Sequence, residues 1–196
     1  MNAKTYLMNK TQTGFTLTEL IITLAIAAIM MSQAVPSFIE MVQNNRVVTQ
    51  TNEFVSSLNM ARSEAVKRGD RITICKSADS ATCTAAGDWQ QGWIIFTDSN
   101  SDAVVNNTDV ILRIYNAFVP GNTLRGISGN VASYISYAGN GFSQMVGGGG
   151  TQTGTLVLCD SRGLGANARA IVLSASGQVR TAPANDPTVI ATATSC

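Results

Sequence analysis

The chain has 196 residues, no histidine, and 13 basic against 12 acidic side chains, for a formal net charge of +1. With 13% of its residues charged, it carries no global field that would draw it to nucleic acid. The missing imidazole removes the usual general base, the Ser-His-Asp arrangement and most zinc or haem sites. No paired-carboxylate signal replaces it. The expectation is therefore a protein that is not an enzyme and has neither metal nor cofactor.

Lys4 and Lys10 lie in a polar N-terminal stretch that ends at Gly14, and residues 15–39 then form an almost unbroken apolar run carrying Glu19 near its start and Pro36 near its end. About 20 apolar residues suffice for a helix to cross the hydrocarbon of a bilayer, so 15–39 reads as a hydrophobic span. A secretory signal has its small-residue cleavage site after the apolar region. Here Gly14 precedes that region, so cutting there removes residues 1–14 as a leader and keeps the span. The two lysines favour a cytoplasmic N-terminal flank, which sends the rest of the chain to the opposite side. Glu19 needs a partner, because an unpaired carboxylate in hydrocarbon costs on the order of several kcal/mol. The free amine that cleavage would create on Phe15 of a neighbouring subunit is one answer. A headgroup position reached by snorkelling is the other, and spacing alone does not separate them.

After Pro36 the helical period continues through Val47, Val48, Thr51, Phe54, Val55, Leu58, Ala61, Ala65 and Val66, with Gly69 as a stop. This predicts an amphipathic continuation over 40–69. Arg46, Gln50, Glu53, Arg62, Glu64 and Lys67 fall mostly off its apolar stripe. The whole helix would run roughly 80 Å at 1.5 Å per residue, bent at Pro36.

From Arg71 the period becomes strand-like, with candidates at 71–76, 92–97, 110–116, 131–137, 155–159, 168–173 and a short one near Val179. Turn signals at 98–102, 139–141, 147–150 and 176–177 separate them. The connections are mostly too short for crossover helices. The expected fold is therefore α+β, a long N-terminal helix packed on an antiparallel sheet formed by residues 70–196.

Cys75, Cys83, Cys159 and Cys196 are an even set in a chain expected to be exported, so disulfides are expected. Three connectivities are possible. Cys75–Cys83 would close a local loop and Cys159–Cys196 would tie down a terminus, and this pairing is favoured. Asp98-x-Asn100-x-Asp102 with Asp109 begins like a calcium loop, but Ala103 replaces the turn glycine and Asp109 is shorter than glutamate. A hairpin turn is the expected role. The glycines at 147–150 lack a following lysine and read as a loop. Trp89 and Trp93 read as core.

Gly14-Phe15-Thr16-Leu17-Thr18-Glu19-Leu20 resembles the prepilin cleavage motif of type IV pilins and type II secretion pseudopilins. The resemblance implies cleavage after Gly14 by a prepilin peptidase, methylation of Phe15, subunit docking through Glu19 and a helix-kinking role for Pro36. Ala28 stands where major pilins often have glycine. Further on, the blocks at 61–69 (Ala-Arg-Ser-Glu-Ala-Val-Lys-Arg-Gly), 89–98 (Trp-Gln-Gln-Gly-Trp-Ile-Ile-Phe-Thr-Asp), 158–163 (Leu-Cys-Asp-Ser-Arg-Gly) and 174–180 (Ser-Ala-Ser-Gly-Gln-Val-Arg) resemble the FimT/FimU minor pilins, which share the GspH pseudopilin domain.

That resemblance implies the type IV pilin fold and a single-pass protein of the bacterial inner membrane with its C-terminal domain in the periplasm. It also implies partners: other minor pilins, the major pilin and the inner-membrane assembly platform. The implied role is to prime assembly of an extracellular pilus and enter it near the tip. A type II secretion pseudopilin is one alternative. A receptor for DNA uptake is another, since DNA-receptor members carry Gly-Arg-x-Arg where this chain has Gly177-Gln178-Val179-Arg180. Gln178 removes one guanidinium and leaves Arg180, with Arg162 and Arg169 as candidate neighbours. Phosphate binding needs several clustered cations, so a structural hairpin is the expected reading there.

Overall fold

The computed structural model describes residues 14–127, 129–186 and 196. The chain divides into two compact units, residues 1–42 and 43–196. One helix, α1 (Leu17–Arg68), runs through the boundary between them.

In the first unit, Thr16 caps the helix: its Oγ1 accepts from the Glu19 N–H at 3.3 Å, satisfying one of the orphan donors of the first turn. Two hydroxyls within the apolar run are satisfied inside the helix. Thr23 donates to the Leu20 carbonyl at 2.8 Å and Ser32 to the Ile29 carbonyl at 2.7 Å. Helical structure continues through Pro36. The large apolar side chains of this segment lie on the surface, and none of its most apolar window is buried.

In the second unit, α1 buries Val47, Thr51, Phe54, Leu58, Ala61 and Ala65, a three–four alternation that puts all six on one stripe. Three positions differ from the sequence reading. Gln50 is buried because its carbonyl accepts a hydrogen bond from the Asn122 amide. Val48 and Val66 flank the stripe and are 42% and 55% exposed.

Eight strands follow: β1 (Ile72–Lys76), β2 (Trp93–Thr97), β3 (Ile111–Tyr115), β4 (Thr123–Gly126), β5 (Tyr134–Tyr137), β6 (Gly154–Cys159), β7 (Arg169–Leu173) and β8 (Val179–Pro183). They form two four-stranded sheets instead of one, ordered β3-β2-β1-β5 and β4-β6-β7-β8, with every pairing antiparallel. β4 is the strand that periodicity missed. It reads Thr-Leu-Arg-Gly, and only Leu124 is fully buried, too short an alternation to stand out.

The main core lies where α1 meets the inner faces of both sheets: Ile72, Ile74, Ile95, Ile135 and Tyr137 from one, Leu124, Leu156, Leu158, Ile171 and Leu173 from the other. Phe54 presents itself edge-on to Trp89 and Trp93, with ring centroids 5.2 and 5.1 Å away. Trp93 also stacks on Tyr115 at 5.0 Å. Trp89 reconciles its indole N–H with burial by donating to the Val131 carbonyl at 3.0 Å. Each such ring contributes on the order of 2–3 kcal/mol through burial alone.

Disulfides join Cys75 to Cys83 and Cys159 to Cys196. Behind the first, Lys76 is almost fully buried and donates its ammonium to the carbonyls of Ala85 at 3.0 Å and Gly87 at 2.7 Å. Burial pulls its pKa below the ordinary lysine value, with Asp88 opposing.

Candidate assembly and anion-binding surfaces

Two separate places carry the residues singled out from sequence. The first is the N-terminal end of α1. Gly14, Phe15 and Glu19 are exposed there, and Pro36 lies about five turns further along the same helix. Among the described residues no cation or hydrogen-bond donor pairs with the Glu19 carboxylate. Glu19 sits in the first helical turn, where a negative charge is favoured by the helix dipole.

The second is the β7–β8 hairpin. Gly177 adopts a φ of +77°, and its N–H closes the turn on the Ser174 carbonyl at 2.9 Å. Arg62 clamps this turn from α1, its Nε donating to the Gly141 carbonyl at 2.9 Å and one terminal nitrogen to the Ser176 carbonyl at 3.0 Å. A Cβ on Gly177 would run into the Gly141 carbonyl oxygen and approach Arg62 and Tyr137. Burial pushes the Tyr137 phenol well above the ordinary tyrosine range. The hairpin is thus locked between the helix and the 139–141 turn. Helical periodicity by itself places Arg62 off the apolar stripe and does not reveal this clamp. The paired glycines at 141 and 177 were the available signal, but nothing local shows that they meet.

The three candidate arginines do not converge. In the β7–β8 register Val172 stands opposite Arg180, and Arg169 stands opposite Pro183. Side chains alternate along a strand, so positions 169 and 172 face opposite ways. Arg169 shares the face of Ile171 and Leu173, both in the main core, whereas Arg180 shares the outer face of Val172. Arg180 is exposed beside a hollow also lined by Val172, Ser174, Gln178 and Val179. Arg162, in the β6–β7 connection, grips the Asp160 carboxylate and donates to the Asn44 side chain at 2.8 Å. The Arg162 hydrogen bond holds the Asp160 carboxyl below the usual carboxylate range.

The acidic loop after β2 is occupied by its own donors. Asp98 is buried and accepts from Thr73 Oγ1 at 2.6 Å and from the N–H groups of Asp102 at 3.0 Å and Ala103 at 3.2 Å. Asp102 accepts from Asn100 and Val104, and Asp109 from the Asn106 N–H. Burial raises the Asp109 pKa, and the neighbouring carboxylates add to that. Among the described residues no three histidine, cysteine, aspartate or glutamate side chains are grouped to hold a metal ion.

Comparison with known proteins agrees with this architecture. The family described as Type II transport protein GspH matches residues 50–177, and the prokaryotic N-terminal methylation motif matches residues 9–32. Among solved structures, the type IV minor pilin FimU of Pseudomonas aeruginosa (strain PAO1) aligns with a TM-score of 0.53 at 19% identity, covering 74% of this chain and 95% of its own. The minor pseudopilin EpsH from the Type 2 Secretion System of Vibrio cholerae aligns with a TM-score of 0.47 at 10% identity, covering 72% of this chain and 99% of its own. No curated protein matches. A long helix, apolar and then amphipathic, packed on antiparallel sheets behind a methylation motif is the fold that the solved minor pilin FimU also shows. The chain belongs to the Type II transport protein GspH family.

Proposed function

We propose that a prepilin peptidase cuts the chain after Gly14 and that Phe15 becomes the methylated N-terminus. The mature subunit then stands in the bacterial inner membrane with residues 70–196 in the periplasm. There it meets other minor pilins, the major pilin and the assembly platform, primes a type IV pilus and enters it near the tip. The observation that carries this reading is the uncovered apolar surface from Phe15 to Ile39. Water is a poor solvent for such a surface, and lipid or a bundle of like helices is the medium that accepts it. Glu19 supports the same reading, since a neighbour's Phe15 amine would neutralise both charges at once.

The test is mass spectrometry of the protein from host membranes and from sheared pili. A chain beginning at methylated Phe15 in both fractions is expected. An intact leader, or a different first residue, overturns the reading.

A second reading is favoured by the matched family's description, namely a pseudopilin of type II secretion. Anchor and processing are the same in both. Deleting the gene separates them: lost piliation supports the pilus, and exoproteins trapped in the periplasm support secretion. A DNA-uptake receptor has the weakest support, because only Arg180 faces outward from the hairpin region.

A further inference from the structure

The segment between Glu19 and Glu40 contains no charged residue, and its 20 positions span about 30 Å as a helix, the thickness of a hydrocarbon core. Gln33 lies inside it, about 10 Å from the Glu40 end at 1.5 Å per residue. Thr23 and Ser32 hide their hydroxyl protons on carbonyls of their own helix. Gln33 does not: its carboxamide is exposed, and among the described residues nothing pairs with it. Nearby, Pro36 has no N–H to offer the Ser32 carbonyl, which an α-helix would otherwise bond. A carboxamide in hydrocarbon without a partner is costly, and lipid tails supply neither donor nor acceptor.

We propose that Gln33 is a pairing residue of the span, hydrogen-bonding side chain to side chain with Gln33 of a second copy of this chain. The proposal rests on the anchor reading above. A carboxamide both donates and accepts, so two copies inserted in the same direction place identical, self-complementary groups at the same depth. Register needs no adjustment. Gln33 follows Glu19 by 14 residues, which at 100° per residue leaves the two within about 40° of one another on the helix surface. One contact face therefore carries a charged group near one membrane boundary and a neutral amide deep inside. The carboxamide fixes depth and rotation between copies, where the apolar residues alone would let helices slide.

Full-length, leader-processed protein carrying a donor or acceptor fluorophore on a C-terminal tag, in phosphatidylethanolamine and phosphatidylglycerol vesicles, tests this by energy transfer against protein-to-lipid ratio, with flotation to score membrane retention. Gln33→Leu should weaken self-association by about threefold to tenfold, the size expected of one interhelical hydrogen bond. Gln33→Asn should restore most of it, and Thr23→Val should behave as wild type. Unchanged association in Gln33→Leu overturns the pairing and leaves the anchor intact. A wild-type protein that floats with vesicles but stays monomeric overturns the second copy as the partner. A protein that does not float at all removes the anchor reading and this proposal together.

Discussion

Arg62 holds Gly141 by a single charge-assisted hydrogen bond, guanidinium Nε to backbone carbonyl at 2.9 Å, and so ties α1 to a turn 79 positions away in sequence. The same side chain takes the Ser176 carbonyl, and Gly177 lies close against the Gly141 carbonyl oxygen and the Arg62 Nε. Hydrogen bonds from a charged donor contribute more than neutral ones, about 1.5–3 kcal/mol each.

Gly177→Ala should therefore cost more than backbone strain alone. At Gly163, where φ is +80° and nothing lies within 4 Å of a new Cβ, alanine should cost about 1 kcal/mol. At Gly177 the added methyl also meets a fixed carbonyl, and the loss should reach about 2–4 kcal/mol. Urea unfolding of the two variants in detergent checks the contrast, and equal losses would refute the clamp.

Asp160 makes the acid limb of stability readable. Its folded pKa is depressed by Arg162, so the unfolded chain binds the proton more readily. The contribution is complete above the unfolded value, about pH 4, and fades as pH falls through the folded value. Asp160→Asn should cost about 1 kcal/mol at pH 7 and progressively less toward pH 3. Unfolding curves at pH 7, 5 and 3 measure the gap, and a gap independent of pH would refute the assignment.

Glu19→Ala should leave membrane insertion unchanged, since it makes the span more apolar, yet abolish recovery of the subunit in sheared pili. Immunoblots of membrane and pilus fractions read the two outcomes separately. Normal incorporation would defeat the proposed pairing with a neighbour's Phe15.

Nucleic-acid binding should be weak. Arg180 is the one candidate arginine on the outer face of the hairpin region, and a single phosphate contact contributes a salt slope of only about one. A gel-shift series should show no complex near 150 mM salt, as expected for about one phosphate contact. A steep salt slope abolished by Arg180→Ala would instead establish a receptor surface.

The apolar run, the helix stripe and six of the eight strands near their observed limits were legible because each is a local pattern repeated over several residues. β4 and the division into two sheets were not. A four-residue strand with one buried side chain leaves almost no periodic trace, and a sheet boundary depends on which edges pair, which no single segment encodes. The burial of Gln50 and the work of Arg62 were hidden for a related reason: each polar group is satisfied by a residue more than 70 positions away.

What the sequence by itself determined is the apolar run, the methylation motif at residues 9–32 and the helix-then-strands order, because period and polarity act between near neighbours. What only the tertiary structure decided is which arginines share a surface. Arg162 turned to Asp160, Arg169 to the core face and Arg180 to the outer face, because strand alternation and cross-strand register assign side chains to faces only after the strands have paired.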